Sequence, residues 1–231
     1  MKLTLIRNAT LLIETGGRRI LVDPMLRPAR STPPIENTPN PVRNPLVELP
    51  RPGNELVQGL DLCLITHLHS DHFDDAADGL LDRDVPILTQ PESKEALQAR
   101  GFTSVDTARQ GFAMTRGHHG TGAIGEAMGA VSGWVFDGLY LAGDTIWCDE
   151  VQQALEEHRP RTVVVNAGAA RFNEGDPIVM DAEDVQRVRG ATDATVVVVH
   201  LEAVNHCLEG RAVYRGIDGV VVPDDGETLA L

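Results

Sequence analysis

The chain has 231 residues, 42% of them hydrophobic and 23% charged, with a formal net charge of −14 at pH 7. That is enough apolar material for a sizeable core, and the length fits one domain, or one domain built from two similar halves. The excess of 34 acidic over 20 basic residues repels polyanions, so no nucleic-acid partner is expected.

The opening runs Leu3 to Ile6, Thr10 to Glu14 and Arg19 to Val22 read as strands, with Thr15-Gly16-Gly17-Arg18 turning the last two into a hairpin. Asp23-Pro24 ends the hairpin. Residues 24–52 then hold nine of the fourteen prolines, which remove backbone donors and exclude a helix or inner strand. A loop this long within a compact domain is functional or mobile. We read it as a lid or flap at about 24–58 within a single domain of residues 1–231, against the plainer alternative of surface wrapping.

From Asp61 the pattern alternates. Asp61-Leu62-Cys63-Leu64-Ile65 is a buried strand, followed by a helix from about Asp74 and a short strand at Pro86 to Thr89. Gln90-Pro91-Glu92 opens a helix that Gly101 ends. Phe112 to Arg116 is a strand, and Gly117 to Gly129, with five glycines, is expected to be a loop too loosely spaced for a dinucleotide fingerprint. Val131 to Phe136 and Leu139 to Ala142 form a hairpin through Asp137-Gly138. A helix over Asp149 to His158, a strand at Thr162 to Asn166, a helix capped by Asp181 and a strand at Thr195 to Val199 complete the series. Early hairpins followed by strand–helix alternation give an α/β protein with mixed sheets.

The strongest chemical signal is His67-Leu68-His69-Ser70-Asp71-His72, three of the eight histidines and an aspartate within six positions. Imidazole and carboxylate are ligands of zinc, manganese and iron. The strand at 61–65 leads into this cluster, and three more strands end in polar residues at Asp144, Asn166 and His200. Ligand sites of α/β proteins gather at the carboxyl ends of strands, so these ends are expected to share one rim. Gly117-His118-His119-Gly120 adds two histidines. Asp23 is either an acceptor that orients a ligand histidine or a turn former. Thr145 either bonds the neighbouring carboxylate or starts a helix. Asn205 and His206 either meet substrate, with His206 as proton donor, or serve structure. Arg171 is a candidate for an anionic substrate, Trp147 for a pocket wall, and each is equally well structural.

Together these stretches, with Leu141-Ala142-Gly143-Asp144-Thr145 and Val199-His200, resemble the ordered motifs of the metallo-β-lactamase superfamily over nearly the whole chain. Asn8 to Glu14 and Ile20 to Pro24 look like the branch related to ascorbate-6-phosphate lactonase. The resemblance implies a four-layer αββα sandwich of two mixed β-sheets with a two-metal site at one edge. It further implies that His67, His69 and either His118 or His119 bind one metal. The family pattern puts that ligand directly before glycine, which favours His119. Asp71, His72 and His200 would bind the second metal, and Asp144 would bridge both. Asp71, Asp144 and His206 are the expected catalytic residues.

The expected cofactors are two divalent metal ions, zinc by default from the N/O ligand set, with Mn2+ or Fe2+ also compatible. The expected function is a hydrolase whose dinuclear-metal-bound hydroxide cleaves a small ester, lactone, amide or phosphoester. A di-iron redox protein and a non-catalytic, metal-stabilised binding module are the other readings. The first is weakened because that class typically carries a carboxylate where this chain has His69. The expected partner is a small-molecule substrate, and no sequence pattern specifies an oligomeric state. No stretch approaches the roughly 18 apolar residues of a membrane span, so no membrane partner is expected. Residues 1–7 carry no secretory leader pattern. Cys63, Cys148 and Cys207, odd in number and scattered, suit reduced thiols in a cytoplasmic protein.

Overall fold

The computed structural model describes residues 1–231. In chain order its elements are β1 (Lys2–Arg7), β2 (Thr10–Thr15), β3 (Arg18–Val22), α1 (Gly53–Leu56), β4 (Leu62–Ile65), α2 (Asp75–Leu80), β5 (Ile87–Thr89) and α3 (Pro91–Ala99). Then come β6 (Val105–Asp106), β7 (Ala113–Arg116), α4 (Gly122–Met128), β8 (Ser132–Phe136), β9 (Leu139–Leu141) and α5 (Asp149–His158). The last are β10 (Thr162–Asn166), α6 (Ala182–Ala191), β11 (Thr195–Val199), α7 (Arg211–Tyr214), β12 (Val220–Val221) and β13 (Thr228–Ala230).

The strands form two mixed sheets, one ordered β13-β1-β2-β3-β4-β5-β6 and the other β12-β11-β10-β9-β8-β7. In each, antiparallel hairpins give way to parallel strands joined by helical crossovers. The valine runs of β10 and β11 show how the layers are stacked. Side chains alternate across a strand, and Val163, Val165, Val196 and Val198 pack with Val151, Leu155, Val185 and Val188 of α5 and α6. Val164, Val197 and Val199 instead meet Leu5, Ile13, Leu64 and Trp134 between the two sheets. On the far side, Leu12, Leu21, Cys63 and Ile65 pack against Leu56, Ala77 and Leu97 of α1, α2 and α3. The result is an αββα sandwich, and strands buried on both faces need no polar alternation. No helix is long and apolar enough to cross a membrane.

The proline-rich segment is irregular apart from one bridge between Thr32 and Asn44. Its ends are tied to the core. Arg7 is fully buried and donates to the carbonyls of Val47, Met25 and Arg27 at 2.8, 2.7 and 2.9 Å. Burial lowers the Arg7 pKa to about 10, with Asp74, Asp225 and Glu48 opposing, so it stays charged at neutral pH. Asp74 caps α2 by accepting from the Ala77 N–H at 2.8 Å and also accepts from the Arg27 N–H at 2.8 Å.

One expected loop is a helix. α4 occupies Gly122–Met128, within the glycine-rich stretch. A Cβ on Gly125 would stand 2.6 Å from the Gly120 carbonyl oxygen. Glycine there lets the helix close onto the preceding turn, so this glycine records close packing.

Candidate metal centre

Six of the seven expected metal-ligand residues are buried and His69 is half-buried. They fall into two groups, His67, His69 and His119, and Asp71, His72, Asp144 and His200, whose donor atoms lie within 4.8 Å of one another in each group. His67, His69, Asp71 and His72 leave the end of β4, Asp144 follows β9, and His200 follows β11. His119 follows β7. The carboxyl-terminal strand ends therefore do share one rim.

Backbone strain marks two of these junctions. Asp23 and His200 have φ of 42° and 68°, a left-handed region that L-residues adopt at a cost of roughly 1–3 kcal/mol. Gly143, at φ 72°, precedes Asp144, and a Cβ there would lie 2.7 Å from the Ser132 carbonyl oxygen.

The Nδ1 atoms show which nitrogen faces inward. His72 Nδ1 lies 2.9 Å from Asp23 Oδ2 and His119 Nδ1 lies 2.7 Å from the Ile178 carbonyl, so both rings donate there. Thr66 Oγ1 gives its hydrogen to Asp23 Oδ2 at 2.8 Å, so His67 Nδ1, 3.0 Å from that hydroxyl, donates to it. The Thr66 N–H also binds Asp23, at Oδ1, 2.7 Å away. His200 Nδ1 faces Cys207 Sγ at 3.4 Å, and that thiol donates to the His200 carbonyl, also at 3.4 Å. His69 differs: its Nδ1 lies 2.9 Å from His67 Nε2 and so points into the site.

The inward atoms converge on Asp144 Oδ2, which stands 3.1 Å from His72 Nε2, 3.5 Å from His119 Nε2 and 3.8 Å from His200 Nε2. Its other oxygen is held by Asn166 Nδ2 at 2.7 Å. His200 Nε2 also lies 3.2 Å from Asp71 Oδ2. With the Nδ1 hydrogens spent outward, neutral rings direct lone pairs at carboxylate oxygens. Acceptors facing acceptors at these distances need a cation between them, a ring proton or a metal ion, and His72 Nε2 is buried without a hydrogen-bond partner. The donor set fits divalent metal on this chemistry.

Electrostatics repeat the point. Burial disfavours a charged His72, but Asp144, Asp23 and Asp71 outweigh it and hold its pKa well above the ordinary imidazole value. His200 is raised in the same way, with Asp144 the main force opposing burial. Burial also opposes ionisation of Asp71 and Asp144, yet His72 and His200 hold both well below the usual carboxylate range. His67 and His119 are lowered chiefly by burial, with Asp144 opposing. The surroundings are thus poised for positive charge.

The model of the beta-lactamase superfamily domain matches residues 2–200 of the chain. The chain belongs to the metallo-β-lactamase superfamily. A relative from Bacillus subtilis (strain 168), the UPF0173 protein YddR, is 34% identical over 252 residues and covers 99% of each chain. The solved isothiocyanate hydrolase from Delia radicum gut bacteria shares 35% identity at a TM-score of 0.93, over 100% of this chain and 99% of its own. A possible metal-dependent hydrolase from Veillonella parvula DSM 2008 shares 30% identity at a TM-score of 0.94, with the same coverages. This superfamily member is an enzyme of the metal-dependent hydrolase class.

The ligand cluster opens into a cleft. Here it is a cavity of about 180 Å³, with apolar walls from Ile35, Met128, Phe172 and Ile178 and a polar floor that includes Asp71, His119, Asp144 and His206. No lysine or arginine lines it. Arg171 turns away to the Gly175 carbonyl, 2.8 Å from its Nη2. His118 is at the surface, 3.0 Å from Glu150, while its neighbour His119 points inward. Trp147 packs on the α5–α6 side of the core. Thr145 bonds neither Asp144 nor a helix start; its Oγ1 accepts from the His118 N–H at 2.9 Å. Burial lowers the His206 pKa to about 4, so this pocket residue is neutral at neutral pH, and its Nδ1 has no protein partner.

Asn205 is fully buried and holds the proline-rich segment over the site. Its Oδ1 accepts from the Ile35 N–H at 3.0 Å and from Asn44 Nδ2 at 2.7 Å. Its Nδ2 donates to Thr38 Oγ1 and the Asn40 carbonyl, both at 2.7 Å.

Three residues support the ligands in ways the sequence does not specify, although Asn166 is expected at the rim as a polar strand end. Asn166 orients Asp144, and Cys207 orients His200. Asn8, at φ 56°, accepts from the His200 N–H at 2.9 Å through its carbonyl and donates from Nδ2 to the Asp71 carbonyl at 3.0 Å. Asn166 lies 22 positions from Asp144 and Cys207 only 7 from His200, whereas Asn8 reaches across 63 positions to Asp71.

Proposed function

We propose that this protein hydrolyses a small, uncharged, electrophilic substrate with a pair of divalent cations, zinc by the N/O donor set. The carrying observation is the position of Asp144 Oδ2, which faces imidazoles of both ligand groups at 3.1, 3.5 and 3.8 Å. On this reading His67, His69 and His119 would hold one cation and Asp71, His72 and His200 the other, with Asp144 within reach of both. When bound, the cations supply Lewis acidity and bring the pKa of water towards about 7, which makes hydrolysis practicable at neutral pH.

The chain's own residues do the rest. Asp23, Thr66, the Ile178 carbonyl and Cys207 fix the tautomers of His72, His67, His119 and His200. Asn166 fixes the plane of the Asp144 carboxylate. Ile35, Met128, Phe172 and Ile178 enclose an apolar substituent and limit bulk water. Neutral His206 offers a ring N–H to the substrate or takes up a proton.

The absence of cationic lining favours neutral esters, lactones, amides and isothiocyanates over phosphoesters. The isothiocyanate hydrolase with 35% identity supports that choice. For an isothiocyanate, water adds through oxygen to the central carbon of R–N=C=S, and the nitrogen gains both water protons as the C–N bond breaks. The products are R–NH2 and carbonyl sulfide, which balances the reaction.

The test is a panel of small aliphatic and aryl isothiocyanates, neutral lactones and phosphodiesters, assayed for product release by the zinc-loaded protein. Turnover of the neutral substrates is expected, with Asp144→Asn losing metal and at least about a hundredfold in kcat/KM, some 2.7 kcal/mol. Full activity in Asp144→Asn, or a preference for phosphodiesters, would overturn the reading.

A further inference from the structure

A separate donor set lies behind the catalytic rim. The ring nitrogen of His118, the sulfur of Cys148 and a carboxylate oxygen of Glu150 all lie within 4.8 Å of one another. His118 Nε2 is 3.0 Å from Glu150 Oε1. The side chains of His118 and Glu150 are 54% and 39% exposed, so one side is open to solvent and leaves room for a fourth, water ligand.

Two further observations set this cluster apart from an ordinary surface ion pair. Cys148 is the N-cap residue of α5, where Ser, Thr, Asp or Asn is preferred, and its side chain makes no capping hydrogen bond. Its half-buried sulfur is grouped with His118 and Glu150, and its thiol donates to Thr145 Oγ1 at 3.6 Å, a hydrogen that cation binding would release. The cluster is also held together independently of any ion. The Ile146 N–H donates to the His118 carbonyl at 2.9 Å, and the His118 N–H donates to Thr145 Oγ1 at 2.9 Å. The loop from β7 and the loop into α5 are thus fixed against each other, which places the three donors before any cation arrives.

We propose that His118, Cys148 and Glu150 form an accessory site for one zinc-class divalent cation, separate from the catalytic centre. The thiolate and imidazole select a borderline-soft metal over calcium or magnesium. Binding displaces the thiol proton to solvent and leaves the cation with two negative ligands. The occupant clamps the loop bearing His119 to the loop bearing Asp144, so it stiffens the rim from outside. This assignment is independent of the proposed substrate.

The test exchanges the full-length protein into cobalt(II), whose thiolate complexes give a charge-transfer band in the near ultraviolet. The catalytic donors are nitrogen and oxygen only, so a thiolate band reports the accessory site. The band is expected in the wild type and in Cys207→Ser, which controls for the thiol beside His200. It is expected to vanish in Cys148→Ser and in His118→Ala, each binding one equivalent of cobalt fewer than the wild type. Absence of the band at saturating cobalt, its survival in Cys148→Ser, or equal cobalt content in wild type and Cys148→Ser would overturn the proposal.

Discussion

At the residue scale the centre depends on side chains that touch no substrate. Asp23 accepts from His72 and from Thr66, which in turn positions His67. Asp23→Asn should weaken metal affinity by roughly 10–100-fold while the protein remains folded, measured by competition with a chromophoric chelator. His206 has a consequence for pH. Its pKa falls to about 4 in the folded protein from 6.5, so between those values the unfolded chain binds the extra proton and stability rises with pH. In metal-free protein this costs on the order of 3 kcal/mol at the acid end of the window. Denaturant titrations of His206→Gln should therefore show a shallower rise from pH 4 to 6.5 than the wild type; identical slopes would exclude the effect. The ligand run from His67 to His72 is legible in the sequence because its donors are adjacent. The supporting roles of Asn166 and Asn8 are not, because they arise only when separate strand ends meet, and that of Cys207 depends on how the chain turns back after His200.

At the element scale, the strand ends are legible from apolar runs that stop at polar residues, as Thr162–Asn166 and Thr195–Val199 do. α4 is hidden because its glycines resemble a loop until the approach of Gly125 to Gly120 is seen. β13 is hidden for a different reason: it is short and mostly exposed, and its pairing with β1 joins residues more than two hundred positions apart. The proline-rich segment is legible as irregular chain, but its anchor is not. Asn205→Ala should free residues 32–44, lower stability by about 2–3 kcal/mol and expose the segment to limited proteolysis. Cleavage at the wild-type rate would show that the segment is held elsewhere.

At the scale of the whole molecule, hydrophobic patterning determines the layers. Consecutive valines in β10 and β11 satisfy a helical layer on one face and the facing sheet on the other. The two sheets each bring ligands to the rim: His67 to His72 from the first, and His119, Asp144 and His200 from the second. A cation at the proposed centre would therefore tie the sheets together and favour the folded state, in which these donors converge. At about one hundred times its dissociation constant, zinc should stabilise the protein by about 2.7 kcal/mol, read as a rise in the chelator-treated protein's unfolding midpoint.

The Asp23 carboxylate touches His72 directly and reaches His67 through the Thr66 hydroxyl, so one buried anion steadies a ligand from each group. If the proposed centre holds two ions, filling either group pre-pays part of the ordering needed by the other, and they should enter cooperatively. Native mass spectrometry during zinc titration should find empty and doubly loaded protein with little singly loaded species, and Asp23→Asn should let that intermediate accumulate.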